Sequence, residues 1–285
     1  MTYTELIAEI ISLQEYDNID TVAVGQSTTG QEIYGYHLGD YNGPQILIEA
    51  GIHAREYPST LVVVGIAKYL AEKGVVGGGI YIVPLVNPDG VRLVLDGLDW
   101  IECDKTRDYL LSINDSNTDF SLWKADIWAV DLNVNFPALW GGGSQNVFCP
   151  SPSNWIGYYP ASEREVRVLM TLTDNIRPAL TLSYHTKGNV IYYGFETLTP
   201  EEIARDKEIA DIISSINGYQ PIKTENSTGG YSDWVSETYR VPAFTVEIGD
   251  VTLPTPIPLS AVPDAIIRNQ DVPQAMLDYL NNQTQ

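Results

Sequence analysis

The sequence predicts an α/β fold, a mostly parallel or mixed sheet with helices on both faces. Three observations carry that expectation. Short apolar, β-rich runs alternate along the chain with helical segments of about 10 to 17 residues. Several of the runs, such as Gln45–Glu49 and Gly79–Leu85, hold unbroken apolar stretches without polar alternation, as strands buried on both faces do. No internal repeat or low-complexity linker divides the 285 residues, so one domain spanning 1–285 is expected.

The elements follow in order. Leu6, Ile7, Ile10 and Ile11 fall at helical spacing within Thr4–Leu13, with Thr4 as the expected cap. Thr21–Gly25 and Glu32–Leu38 read as strands joined by a turn at Thr29-Gly30, and Gln45–Glu49 as a third. Glu56–Glu72 carries Leu61, Val64, Ala67, Leu70 and Ala71 along one helical face, and the glycines that follow stop it before strand Gly79–Leu85. A helix near Ala161–Asn175 precedes strands Ala179–Tyr184 and Val190–Tyr193; then come helix Thr199–Ile216, strand Ala243–Ile248 and a last helical segment, Pro263–Asn281. Asp96–Ala129 has weak periodicity and reads as a surface excursion. Asp89-Gly90 and Gly229-Gly230 read as turns, the latter able to lend mobility to the segment before Tyr231.

Composition removes whole classes of function. Sixteen basic against 37 acidic residues leave a formal charge of −21, which repels nucleic acid and anionic membrane surfaces. Cys103 and Cys149 are too few for a disulfide framework or a four-thiolate metal site; the readings left are two thiols, which is preferred, or a single bridge. No apolar stretch reaches the roughly 18 residues of a membrane span, and the first residues do not read as a secretory signal. The expectation is a cytoplasmic protein with a small-molecule or peptide partner.

The chemistry gathers at the carboxyl ends of predicted strands, where α/β sheets place their ligands. Of the three histidines, His53 follows strand Gln45–Glu49 and His185 follows Ala179–Tyr184, whereas His37 sits within a strand and reads as structural. His53 and Glu56, three residues apart at a strand-to-helix turn, face one spot if that turn winds helically. Two imidazoles and a carboxylate form the ligand set of a catalytic zinc site that keeps one position open.

Gly51-Ile-His-Ala-Arg-Glu-Tyr, Asn87-Pro-Asp-Gly90, Asp131-Leu-Asn-Val-Asn-Phe136, His185 and Phe244-Thr-Val-Glu-Ile248 occur in the order found in the zinc metallocarboxypeptidases, and the chain resembles that family over nearly its whole length. The resemblance implies a single domain with a mixed, roughly eight-stranded sheet and one zinc ion. It implies zinc ligation by His53, Glu56 and His185 and a general-base role for Glu247. A carboxylate there can take a proton from water and pass it to the leaving amine.

The family places an arginine to stabilise the oxyanion; here Trp123-Lys124-Ala125 offers Lys124 for that role. Exopeptidases of the family also carry an asparagine–arginine pair that clamps the substrate carboxylate, but Asn133 is followed by Val134, which cannot make that contact. The family's usual phenol is replaced by Ser236, with Tyr231 nearby. Arg55, Asn133 and Tyr231 are the candidates to line the substrate cleft. Trp-Lys-Ala, Asp-Leu-Asn-x-Asn-Phe-Pro-Ala and His185-Thr-Lys-Gly resemble the bacterial γ-D-glutamyl-diaminopimelate endopeptidases, which implies a muropeptide substrate. The alternatives are a carboxypeptidase or small-amide deacylase of the same fold, or a catalytically silent binder of wall fragments.

Overall fold

The computed structural model describes residues 1–283, so the last two positions of the expected 1–285 domain lie outside the described residues. In chain order the elements are α1 (Tyr3–Ile11), β1 (Asp20–Gln26), β2 (Glu32–Gly39), β3 (Gln45–Ala50), α2 (Pro58–Lys73), β4 (Gly79–Val83), α3 (Pro88–Asp96) and α4 (Asp104–Ile113). They continue as α5 (Arg164–Ile176), β5 (Leu180–Thr186), β6 (Val190–Tyr193), α6 (Pro200–Asn217), β7 (Gln220–Lys223), α7 (Tyr231–Tyr239), β8 (Ala243–Ile248), α8 (Val262–Asn269) and α9 (Val272–Gln283). The eight strands form one mixed sheet in the order β1-β2-β4-β3-β5-β8-β6-β7. Its centre, β4-β3-β5-β8, is parallel throughout.

Alternation along the central strands assigns their faces. Ile46 and Ile48 of β3, Leu180, Leu182 and Tyr184 of β5, and Phe244, Val246 and Ile248 of β8 share one core with residues of α1, α2, α6, α8 and α9. The opposite face is covered by α5 and α7, through Val166, Leu169, Trp234 and Val235. On that second side β5 presents Thr181, Ser183 and His185, and β8 presents Thr245 and Glu247, so apolarity gives way to polar groups toward the strand ends.

The structure moves several expected boundaries. The cap of α1 is Thr2, which forms a reciprocal capping box with Glu5, not Thr4. The last segment is two helices, α8 and α9, in place of one. Asn87-Pro-Asp-Gly is not a turn but the start of α3: Asn87 caps it, accepting from the Gly90 N–H, and proline occupies the first turn, where its missing N–H costs nothing. The Asn87 side chain also donates to the carbonyls of Ile52 and Ala125, bracing the segment that carries His53. Asp96–Ala129 is not wholly superficial either. It contains α4, and Trp123, Ala125, Ile127 and Ala129 are buried. Its apolar residues contact the core from irregular backbone, so no period announces them.

The turn between β1 and β2 is tied to α3 through Asp89, which is fully buried. Asp89 accepts from Ser27 Oγ at 2.7 Å, the Thr29 N–H at 2.8 Å and the Thr29 hydroxyl. Replacing Asp89 with alanine leaves the buried Ser27 hydroxyl without this partner, while the exposed Thr29 donors turn to water. The substitution should lower unfolding free energy by roughly 2 kcal/mol, read as a reduced urea midpoint at unchanged m-value.

Candidate active site

Three adjacent parallel strands, β3, β5 and β8, deliver the site from their carboxyl ends. Beyond β3 the chain turns at Gly51, whose φ is +62° and where a Cβ would lie 2.7 Å from both Leu85 Cδ1 and Thr60 Oγ1; glycine is required by conformation and by space. His53 follows, and a single 3-10 turn over Ala54–Glu56 leads into α2. Residues three apart eclipse in that geometry, and His53 Nδ1 accordingly lies 3.1 Å from Glu56 Oε1. His185 is the penultimate residue of β5 rather than the residue after it, and it pairs in register with Glu247 of β8. Directly paired residues of parallel strands project from the same face, so both meet the His53–Glu56 turn.

The three expected ligands converge. His185 Nδ1 is 3.1 Å from His53 Nδ1 and 3.1 Å from Glu56 Oε2. The donor atoms of His53, Glu56 and His185 all fall within 4.8 Å of one another, and all three residues are buried. Donors bound tetrahedrally at zinc distances of about 2.0–2.1 Å sit roughly 3.3 Å apart, close to the spacings seen. Two neutral imidazoles and a carboxylate suit a borderline-soft divalent ion. The residues fit zinc.

Partners behind the ligands orient them, in the manner of carboxylate–histidine–metal arrangements. His53 Nε2 faces Asp131 Oδ1 at 3.3 Å, leaving Nδ1 directed at the cluster. His185 Nε2 is 3.5 Å from Ser183 Oγ, which itself donates to the buried Glu49. Glu56 Oε2 accepts from the Thr186 N–H. Burial pushes the Glu56 carboxyl up, but His53 and His185 beside it outweigh this and hold it well below the ordinary carboxylate range. Burial pushes Glu247 up to about 7, reinforced by Glu56 and opposed by His185, His53 and Lys124. One Glu247 oxygen, Oε2, has no hydrogen-bond partner.

Lys124 lines the same cleft, of about 380 Å³, with Asn133, Val134, Asn154, His185 and Glu247. Its ammonium lies 2.8 Å from Asp131 Oδ2 and donates to Asn154 Oδ1 at 3.2 Å. Asp131 is thereby held far below its usual pKa: burial opposes ionisation, and Lys124 and His53 override it. Two of the expected substrate residues lie elsewhere. Tyr231 is fully buried, its hydroxyl 3.0 Å from Thr173 Oγ1 on α5, because it packs between Phe136 and Trp234 as the first residue of α7. Arg55 is not among the residues that line the cleft, and it donates to the Leu122 carbonyl. Asn133 does face the cleft, with Oδ1 accepting the Tyr231 N–H.

Sequence reasoning assigned no role to Asp131, although it opens the Asp-Leu-Asn motif, nor to Asn154, Ser183 or Glu49. The period-two alternation Thr181, Ser183, His185 was the available signal for Ser183. The loop before Tyr231, read as mobile from its glycines, is anchored: Gly229, at φ +82°, packs where a Cβ would approach the Val134 carbonyl to 2.8 Å, and its own carbonyl accepts the Phe136 N–H.

Elemental analysis of purified protein incubated with zinc and desalted should find one ion per chain. Saturating zinc should also raise the midpoint of thermal unfolding by roughly 5–10 °C over chelated protein. His185→Ala should lose both effects; an unchanged zinc content in that variant would place the metal elsewhere.

Among the curated relatives, the chain is 34% identical over 271 residues to γ-D-glutamyl-L-diamino acid endopeptidase 1 of Lysinibacillus sphaericus, covering 90% of this chain and 67% of that one. It is 31% identical over 253 residues to the uncharacterized protein YqgT of Bacillus subtilis (strain 168), covering 82% and 65%. The chain thus spans about two thirds of the length of either relative. Bovine thrombin-activatable fibrinolysis inhibitor, solved in complex with tick carboxypeptidase inhibitor, shares the fold at a TM-score of 0.76 and 20% identity, over 99% of this chain and 98% of that one. The family model described as zinc carboxypeptidase matches residues 7–257, a stretch that encloses all three metal donors and Glu247. The chain belongs to the zinc carboxypeptidase family.

Proposed function

We propose that this protein is a zinc-dependent peptidase that hydrolyses the amide between the D-glutamate side-chain carboxyl and diaminopimelate in peptidoglycan stem peptides. The observation that carries the reading is the cleft's charge. The residue beside Asn133, where exopeptidases of the family hold a carboxylate-clamping arginine, is Val134. Lys124 is the single cationic side chain among the described residues of the lining, and it is paired with Asp131. A cleft of that kind has no arginine to clamp a free C-terminal carboxylate, so cleavage does not depend on one and the leaving residue can be terminal or extended. The Lysinibacillus sphaericus relative's name describes such a substrate.

The residues present divide the work. His53, Glu56 and His185 would hold zinc, which when bound supplies Lewis-acid polarisation of a carbonyl and acidifies water to a pKa of about 7. Glu247, in register with His185 and with one unpartnered oxygen, is placed to take the proton of the attacking water and return it to the leaving amine. Its raised pKa suits a group that must both accept and donate near neutrality. The ammonium of Lys124, held in the cleft by Asp131 and Asn154, would stabilise the developing oxyanion. The Asp131 carboxylate, 3.3 Å from His53 Nε2, favours the tautomer protonated there, which leaves the Nδ1 lone pair for the metal.

Mass spectrometry of the digest of L-Ala-γ-D-Glu-diaminopimelate should show L-Ala-D-Glu and free diaminopimelate. Glu247→Gln should reduce kcat by roughly 10³ while retaining stoichiometric zinc. Removal of C-terminal residues from ordinary L-peptides, with the tripeptide left intact, would defeat the reading. Lys124→Met should lower kcat by roughly 10² with little change in KM if the ammonium meets the oxyanion; an unchanged kcat would remove it from the chemistry.

A further inference from the structure

Three carboxylates line the cleft, and two are committed. Glu247 faces the metal ligands, and Asp233 Oδ2 accepts the Gly230 N–H at the start of α7. The third, Glu225, is exposed and makes no hydrogen bond or ion pair with the described residues. Its backbone is nonetheless fixed on both sides. The Thr224 N–H donates to the Tyr193 carbonyl at 2.9 Å, and the Asn226 carbonyl accepts the Ser144 N–H at 3.0 Å. Three residues on, Gly229 rests against Val134, so this loop walls the same cleft in which the carboxylate clamp is missing.

The charges therefore run opposite to those of a carboxylate-binding pocket. An anion entering the cleft meets one cation already paired with Asp131, whereas an ammonium meets an unpaired carboxylate on a positioned loop.

We propose that Glu225 is a specificity determinant that recognises the side-chain ammonium of the leaving residue, in the role a carboxylate clamp would otherwise fill. The substrate class this selects is a γ-glutamyl amide of a diamino acid. The inference rests on the peptidase reading above and refines it. Recognition passes from the leaving residue's carboxyl, which is free to be amidated or extended, to the amine at the end of its side chain. An ion pair at an exposed rim contributes modestly, of the order of 1 kcal/mol or about fivefold, and salt weakens it.

The test compares L-Ala-γ-D-Glu-L-Lys with the same tripeptide acetylated on the lysine Nε, a change that removes the charge and leaves the scissile amide untouched. The wild-type protein should show kcat/KM roughly fivefold higher for the free amine, mostly through KM, with the ratio shrinking as potassium chloride is raised. Glu225→Gln should bring the ratio near one by lowering kcat/KM for the free amine, and Glu225→Lys should invert it. Equal losses of Glu225→Gln on both peptides, or a wild-type ratio that Glu225→Gln leaves intact, would overturn the proposal while sparing the peptidase assignment. Cleavage of neither peptide by the wild type would overturn the peptidase assignment, and this inference with it.

Discussion

Parallel pairing of β3, β5 and β8 in one register is the constraint on which the site depends. Ala50 pairs with Tyr184 and His185 with Glu247, so the strand ends finish level and each continues into the cleft. Because side chains alternate with period two, a slip of one residue between β5 and β8 would turn Glu247 toward the apolar face beneath α2 and bury an unpaired carboxylate there. The hydrophobic pattern forbids that slip: Leu180, Leu182 and Tyr184, with Phe244, Val246 and Ile248, must share one core. Packing on one side of the sheet thus positions chemistry on the other.

Placing so many ionisable groups out of water is costly unless each is answered. His53 and Glu56 answer each other, Asp131 lies between His53 and Lys124, and Glu56 takes an additional backbone N–H. Glu49 and Glu247 are answered less completely; each retains an unpartnered oxygen and each is pushed up to about 7 by burial. The two differ in place. Glu49 lies behind His185 through Ser183, whereas Glu247 opens on the cleft. Buttressing extends outward through Asn87, whose amide joins the His53 segment to the Lys124–Ala125 segment. Irregular backbone around the site is held by such side-chain contacts together with single backbone bonds, among them the Ala54 N–H to the Lys124 carbonyl at 3.0 Å.

Much of this was legible before folding was considered. The strands from β1 to β6 and β8 were found within a residue or two, because their apolar runs are strong and bounded by turn residues. β7 went unseen: Gln220–Lys223 is a four-residue edge strand containing proline and has no apolar signature. α7 was missed since Tyr231–Tyr239 opens on glycines that read as a loop, and α3 since Asn-Pro-Asp-Gly is equally good turn chemistry. Tyr231 shows the limit of reading aromatics from sequence. A tyrosine beside two glycines resembles a cleft residue, yet Thr173 on α5 satisfies its hydroxyl inside the core.

The sequence by itself determined the α/β class, the order of strands and helices, and the identity of His53, Glu56, His185 and Glu247 as the residues able to carry the chemistry. Local spacing and apolar periodicity encode these directly, and the order of motifs encodes the rest. Only the tertiary structure decided that His185 and Glu247 stand side by side, that Asp131 serves both His53 and Lys124, and that Glu225 faces a cleft without a free cation. Apart from Asp131 with its near neighbour Lys124, these are contacts between segments tens of residues apart. Their geometry is set by sheet register and loop packing, which no window along the chain contains.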